Sequence, residues 1–538
     1  MNLTVAGRTI QVIPTLFDRA ISYVSPQAGV ARLKARATLS MYGGYNGGRR
    51  DRRGTRNWRP SSGSADADVL PDLPDLRARS RDLARNAPIA TGAISTVVTN
   101  VVGDGLRLQS SVDFEALGMT EEQADQWERT AEREWAHFCN SSDFTKVQKF
   151  NELQELIFRA MLESGDVFVV RRYRKDAGDI YGTKIQVLEA DRVSNPSRAA
   201  DTETIAGGVE LDSDGVPIAY HVSDKHPGNL RAGQLKWARV GARTDEGKQV
   251  VLHLYDRLRP ELTRGAPFLA PVIEHLKSLS DYADAEVRAA VVSAMFTVFL
   301  ESPDENATPG EAGTPGLADN ELKLGAGAVL SLAPGEKASI ANPGRPNDKF
   351  DPFVQAFLRQ VGVALELPFE LLIKHFTASY SASRAALEMA WQSFRKRRTW
   401  LAQNLCQVVY EWMIEEAVAS GRLAAPGFFE SPLVAQAYCG ARWIGPGRPS
   451  IDQVKDAEAD RAYLDMELTT REEIRATRFG DLGDWESIHK QTVKETNLRR
   501  RDGTATEPSA PTGSARERSQ VPVDDDTDED AQQARRTG

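Results

Sequence analysis

Cysteine is nearly absent from this 538-residue chain: Cys139, Cys406 and Cys439 stand far apart and form no C-x-x-C pair. That spacing argues against a zinc ribbon or a disulfide framework, and it fits assembly in a reducing, cytosolic setting. Histidine is scarce too. The seven (His137, His221, His226, His253, His275, His375 and His489) show no H-E-x-x-H or other ligand spacing, so each reads as a satisfied or surface side chain. No apolar run reaches the roughly eighteen residues a membrane span requires, and no signal-peptide core opens the chain, so a soluble protein without a membrane partner is expected. A G-x-S-x-G elbow is missing. The nearest approach to a phosphate-binding loop, Gly241 to Lys248, has one residue too many between its glycines, and Gln249 stands where a Ser or Thr would ligate magnesium. Glu415 and Glu416 are neighbours on a helical pattern, so they point to different places. The reading is therefore of no enzyme, with no catalytic residue, no metal and no cofactor.

What is present is length and pattern. The chain exceeds what one core serves, so two to four domains are expected, and 41% hydrophobic residues allow a sizeable interior. A net charge of −9 is modest for this length and excludes a general nucleic-acid adhesive. From Phe350 two helical patterns meet at a Ser-rich break, TASYSAS. In the second, Leu387, Trp391, Phe394, Leu401, Leu405, Val408 and Trp412 recur at three- and four-residue spacing and mark one stripe of a long helix, roughly 50 Å at ~1.5 Å per residue. Ser381 or Ser383 is expected to cap it and Gly421 to end it. RKRR, Arg395 to Arg398, wraps around this helix.

Along the rest of the chain, short helices are expected on either side of Ser25-Pro26, followed by a Gly-, Arg- and Ser-rich arm from Tyr42 to Ser64 that cannot form a core. Helices follow from Leu76, Pro88, Met119 and Phe150, with Trp127, Trp135 and Phe138 as a core stripe. The period then shortens towards two: Asp166 to Tyr255 carries VFVVRRY, KIQVLEA, IAYHVS and VVLHLYD between Gly, Asp and Pro turns. A helix from Arg264 to Ser302 precedes a loop-rich module with a strand at Ala328 to Leu332 and another near Lys337 to Ile340. Residues 422–450 read as irregular, Ile451 to Leu468 as helical, and Thr470 with Glu473 as a helix start. DDDTDED near the end reads as a solvated, disordered tail.

The order R-G-x-P-x-L-A-P-x-I, SDYADAE, FDPF, ALELPFELL and YSASRAALE resembles the portal proteins of lambda-like tailed phages. The resemblance extends through LRARSRDLARNAP, ESGDVFVVRRY, LEADRV and GVELDSDGVPIAYHVS, and it covers about Leu76 to Gly421. It implies a mainly α, α+β portal fold: an arm at 1–75, partly disordered, an α/β wing at 76–263, a first stem helix at 264–300 and a small β-containing clip at 301–349. A second stem helix at 350–372 would lead to a tunnel loop at 373–384 and a long tunnel or crown-side helix at 385–421. A C-terminal wing or crown region at 422–500 and an acidic tail at 501–538 complete it. It further implies a homo-oligomeric ring, a dodecamer, at one capsid vertex, assembled in the host cytoplasm. Double-stranded DNA would pass along its axis, with the large terminase subunit, the major capsid protein or scaffold, and head-tail connector proteins as partners. Lys374, His375, Ser379, Tyr380, Ser381, Ser383 and Arg384 would face the bore, with Arg359 as a stem candidate. These are sparse basic groups among small polar ones, as sliding DNA requires. Arg395, Lys396, Arg397 and Arg398 could meet DNA, a neighbouring subunit's acidic surface or water, and of these the subunit contact is the favoured reading. The alternative is another structural head or tail connector protein.

Overall fold

The structure is a computed structural model, and it describes residues 2–5, 8–11, 16–41, 54–55, 57–60, 62–229, 234–294, 298–301, 337–340, 350–376, 379–450, 452–480 and 485–501. Most of the Gly/Arg arm, the expected strand at Ala328 to Leu332, Thr377, Ala378 and the acidic tail lie outside the described residues. Contacts divide the chain into two compact units, Met1–Asp72 with Leu258–Thr263, and Leu73–Arg257 with Arg264–Gly538.

In the first unit an antiparallel hairpin, Asn2–Val5 with Arg8–Gln11, precedes two helices, Leu16–Val24 and Pro26–Met41. The helices meet at the expected Ser25-Pro26 junction, because proline suits the first turn of a helix, where its missing N–H costs nothing. Asp18 is buried and accepts from Arg32 Nε at 3.0 Å. A short helix, Ala65–Val69, is capped by the Ser64 side chain, and Asp66 accepts from the Thr263 backbone N–H at 2.8 Å.

In the second unit helices Leu73–Asn86, Pro88–Val101, Glu121–Cys139 and Phe150–Ser164 come first. The third opens on a full capping box, in which Thr120 accepts from the Gln123 N–H while the Gln123 side chain accepts from the Thr120 N–H. A three-stranded antiparallel sheet follows, in the order Val251–Tyr255, Asp166–Tyr173, Thr183–Glu189. A four-stranded sheet orders Ile205–Ala206, Val209–Leu211, Pro217–Ser223 and Trp237–Gly241. Gly241 to Lys248 is the connection between the two sheets, closed by Gly247 N–H to Thr244 O at 2.9 Å. Sequence periodicity missed a further pair: Arg107–Ser110 runs antiparallel to Ala441–Ile444. The stretch expected to be irregular thus contains that strand and a helix, Pro432–Tyr438. Downstream helices are Gln453–Asp465, Arg471–Phe479, which the Thr470 hydroxyl caps, and Trp485–Arg501.

The long helix runs Tyr380–Leu401, passes through a π-helical turn at Ala402–Cys406, and continues as Gln407–Ala419. Its cap is Ser379, whose hydroxyl accepts from the Ala382 N–H, and neither Ser381 nor Ser383. Both lie inside the first turn, where the side chain of an N-cap cannot sit. Gly421, at φ +73°, ends it, and the Arg422 N–H returns to Ala417 O at 2.8 Å. The apolar stripe enters the main core: Phe394, Leu401, Leu405 and Trp412 are buried, and Leu387, Trp391 and Val408 half-buried. Each fully buried side chain of this size contributes about 1.5–3 kcal/mol. Trp135 organises the aromatic part, with Phe150, Tyr410 and Trp443 edge-on to it at 5.1, 5.7 and 5.5 Å between ring centroids.

Helices Ile273–Ala294 and Phe350–Ala364 pair through Tyr282, which meets Phe350 and Phe353, and through His275 against Phe357. Between them Val298–Glu301 pairs with Lys337–Ile340. The second helix does not reach residue 372. Glu366 at φ +56° and Pro368 break it, and Phe369–Ile373 restarts as a separate turn. Gly362 permits the bend: the Leu367 N–H donates to Gly362 O at 2.9 Å, and a Cβ on Gly362 would lie 2.5 Å from the Leu367 carbonyl oxygen.

Candidate functional site

Of the expected bore residues, Lys374, His375 and Ser379 lie between the helices Phe369–Ile373 and Tyr380–Leu401, while Tyr380, Ser381, Ser383 and Arg384 stand at the start of the second. Lys374 stands at φ +55° as the C-cap of Phe369–Ile373, and the His375 N–H donates to Glu370 O at 3.0 Å. Lys374, His375, Ser379, Tyr380, Ser381 and Arg384 are exposed. Ser383 is not: at 7% exposure it is packed on the inner side of the long helix's start. Arg359 is exposed and donates to Gln355 at 3.2 Å, with its guanidinium over the Phe369 ring.

Arg384 and Tyr380 have company that the sequence did not disclose. Arg384 approaches Asp456 at 3.5 Å, and the Lys455 ammonium lies 5.5 Å from the centroid of the Tyr380 ring. Asp456 also accepts from the Ser450 hydroxyl at 2.7 Å and lies 2.9 Å from Arg478, which grips Asp460 with two further bonds. Arg448 pairs with Glu388 on the long helix. The Ser450 hydroxyl, with Arg478, Arg384 and Arg448 behind it, holds the Asp456 carboxyl below its ordinary value.

The four residues of the RKRR run part company. Arg395 and Lys396 are exposed. Arg397 turns inward, donates to Glu366 at 3.1 Å and lies over Phe268, and burial lowers its pKa. Arg398 donates to Val101 O and Asn100 O at 3.2 and 2.8 Å, satisfying the carbonyl end of the Pro88–Val101 helix. Intramolecular bonds thus occupy Arg397 and Arg398, and of the expected subunit contacts Arg395 and Lys396 present open side chains.

The C-terminal end of the long helix is clamped by carboxylates. Glu415 accepts from Arg171 at 2.7 Å and from Lys248, while Glu416 accepts from the Gly182 and Thr183 N–H groups at 2.6 and 2.8 Å. The two neighbours do point to different places. Arg422 forks onto Glu134, which also accepts from the Tyr181 hydroxyl at 2.6 Å.

Deeper lies a buried ionic node. Asp166, with no exposed side-chain surface, accepts from Arg77 at 2.7 Å, from both ends of the Arg264 guanidinium, and from His253 Nε2 at 3.1 Å. Arg264 spends its remaining donors on the carbonyls of Ala190, Val193 and Gly207, so all five N–H groups are satisfied. Burial alone would raise the Asp166 carboxyl, but the Arg264 and Arg77 charges and the His253 bond outweigh it and hold it far below the usual range. Burial lowers His253, against the pull of Asp166. The segments containing LRARSRD, ESGDVF, LEADRV and RGAP meet here. Gly165, at φ +91°, and Gly265 touch backbone to backbone: a Cβ on Gly165 would lie 2.2 Å from Gly265 O. Arginines stand in LRARSRD, LEADRV and RGAP, and Arg79, Arg81 and Arg192 look no different in sequence, so nothing local marks Arg77 and Arg264 as the buried pair.

Among the described residues one carboxylate-imidazole group, Glu189, Asp191 and His226, has metal-like spacing. Arg81 already pairs with both carboxylates, and His226 Nδ1 accepts from the Gly228 N–H at 2.9 Å, which leaves the ring proton on Nε2 facing the acids. It is an ion-pair cluster. No described helix is long and apolar enough to cross a membrane.

The chain is similar to several known proteins. Portal protein B of Escherichia phage lambda is 27% identical over 494 residues, covering 87% of this chain and 92% of that protein. The portal protein of Escherichia phage N15 is also 27% identical, over 499 residues and with the same coverage. The solved neck of a native gene transfer agent particle, computed with C12 symmetry, aligns with 14% identity and a TM-score of 0.44 over 75% of this chain and 92% of that one. The profile of phage portal proteins of the lambda family matches residues 51–398, well over half of the sequence. The chain belongs to the lambda family of phage portal proteins.

Proposed function

We propose that this portal protein closes into a ring, a dodecamer, at one vertex of the capsid and that double-stranded DNA passes along its axis on packaging and ejection. The observation that supports the channel is the junction from Lys374 to Arg384, which joins a two-helix hairpin to the long helix. Among its described residues the exposed side chains are mostly small or polar, with Phe376 beside them, and only Lys374 and Arg384 carry a fixed positive charge. Each phosphate held releases counterions and adds affinity, so a conduit works only if such contacts are sparse. The junction is the tunnel loop, the hairpin Ile273–Ala294 and Phe350–Ala364 the stem, and the module between them the clip, which meets the large terminase subunit and later the head-tail connectors. The sheets of the second unit form the wing, towards the major capsid protein or scaffold. Portal proteins are structural, and the work of translocation comes from an ATP-hydrolysing partner. The test is the mass and rotational symmetry of the purified protein, by light scattering and electron-microscope class averages. A closed ring with an opening wide enough for a duplex is expected; a stable monomer or dimer at every salt concentration would refute it.

A further inference from the structure

A groove of about 570 Å³ opens between the turn from Arg243 to Gln249, the C-terminal part of the long helix and the segment from Phe428 to Cys439. That volume is enough to take a bulky side chain. Trp412 and Phe428 are buried beneath it, while Phe429 stays 58% exposed. Glu411 stands in the same groove and opens to solvent. Its carboxylate accepts from Gln407 Nε2 at 3.1 Å, and no described cation pairs with it. The cations that line the groove are engaged already: Lys248 with Glu415, and Arg243 with the Gly247 carbonyl at 3.0 Å. The groove walls desolvate the Glu411 carboxyl and raise it above its ordinary value, as befits an acid short of a counter-charge.

The chain carries the matching feature on another segment. Trp58 is 70% exposed, and Arg59 beside it is exposed and pairs with no described carboxylate. Arg49 to Pro60, RRDRRGTRNWRP, sets six arginines against one acid. Tryptophan and arginine are the side chains that dominate protein interfaces, one by filling an apolar pocket and the other by forking onto a carboxylate. Within its own chain Trp58 leaves most of its surface to solvent, which points to a socket on another copy. Knob and socket are different patches, so their contact is head-to-tail and closes a ring when repeated by rotation.

We infer that Trp58 and Arg59 of one copy seat in the groove of the next, Trp58 against Phe429 and its aromatic neighbours and Arg59 on Glu411. This rests on the ring reading, since it takes a second copy of the chain as the occupant.

The test uses the full chain. Arg59→Glu and Glu411→Arg each set like charges against one another, and each is expected to make assembled rings dissociate about tenfold faster on dilution, followed by light scattering. Both side chains are exposed, so neither change strikes the fold. The double variant restores the pair with its signs exchanged and should recover most of the loss, the outcome that a pairwise contact alone predicts. A second measurement is independent of stability. Trp58→Cys combined with Phe429→Cys, bridged by a short bis-maleimide, should give a ladder of linked chains on a denaturing gel. Either cysteine alone should leave the chain unlinked, because Cys406 and Cys439 are buried and Cys139 half-buried. Loss of both new thiols without a gain in mass would place the contact inside one chain and overturn the inference. So would single charge variants whose double shows no recovery. Should a basic segment of another protein fill the groove instead, rings of every variant would dissociate as the parent's do, and the assignment to a second copy falls. Ring closure of the parent is scored separately by microscopy. Closed rings indifferent to all these changes sink the docking alone, whereas a parent that stays monomeric at every salt concentration sinks the ring reading and the docking with it.

Discussion

Asp166→Asn is the most searching perturbation of the buried node. The replacement is nearly isosteric, so no cavity term enters, and the change is confined to charge and hydrogen bonding. It removes the one negative charge between Arg77 and Arg264 and sets an NH₂ group against their donors. Removing one partner of a buried ion pair costs about 3–5 kcal/mol. The lower end applies, because Arg264 keeps the carbonyls of Ala190, Val193 and Gly207, and Arg77 keeps Ser164 O at 2.9 Å. For a cooperative unit of roughly 200 residues, 1 kcal/mol moves the unfolding midpoint by about 3 °C, so a fall of about 9 °C is expected in scanning calorimetry. The control is Glu163→Gln, three residues away, whose carboxylate lies 3.7 Å from Arg159 in a partly exposed pair. It should shift the midpoint by no more than about 2 °C. Equal, small shifts in both variants would refute the claim that the Asp166 charge holds these segments together.

Three further outcomes follow from the same structure. Gly265→Ala should destabilise by about 2–4 kcal/mol, since its Cβ would fall 2.1 Å from Gly165 O, backbone against backbone; soluble yield and midpoint unchanged from the parent would contradict the close approach. Glu416→Ala leaves the Gly182 and Thr183 N–H groups without their carboxylate, and hydrogen exchange at those two amides should rise while the sheet's inner strand stays protected, at a cost of about 1.5–3 kcal/mol. The pH dependence has a definite sign: His253 and Asp166 both have folded pKa values below their unfolded ones, so the unfolded chain binds more protons as pH falls. Stability should begin to drop below about pH 6.5 through His253 and further below about pH 4 through Asp166. His253→Gln should flatten the upper part of that curve, and an unchanged profile would remove His253 from the account.

The sequence disclosed what is local and periodic. The helix Phe150–Ser164 has the limits its pattern suggests, and VFVVRRY and IAYHVS lie in strands because β-branched runs between turns have few other uses. It failed where partners are distant. RLQS and ARWI are too short and too mixed to read as strands, and each becomes one only by pairing with the other. A break after Lys374 was legible, because a Ser-rich stretch separates two apolar patterns, although it was read as far as Ser383 and the helix already starts at Tyr380. The acids that face Arg384 were not, since Asp456 resembles every other carboxylate on a polar helix. RKRR shows the same limit: four like charges in a row, two of which are committed to Glu366 and to the end of another helix.

The pairing of Arg107–Ser110 with Ala441–Ile444 bears on how the protein is made. Ser110 Oγ and the Tyr410 hydroxyl, bonded beside that sheet, are 300 residues apart. At about 5–20 residues per second, a ribosome needs roughly 15–60 s to deliver the second after the first. During that interval the strand Arg107–Ser110 has no partner, and a chain that stops before Ala441 leaves that edge of the aromatic core open.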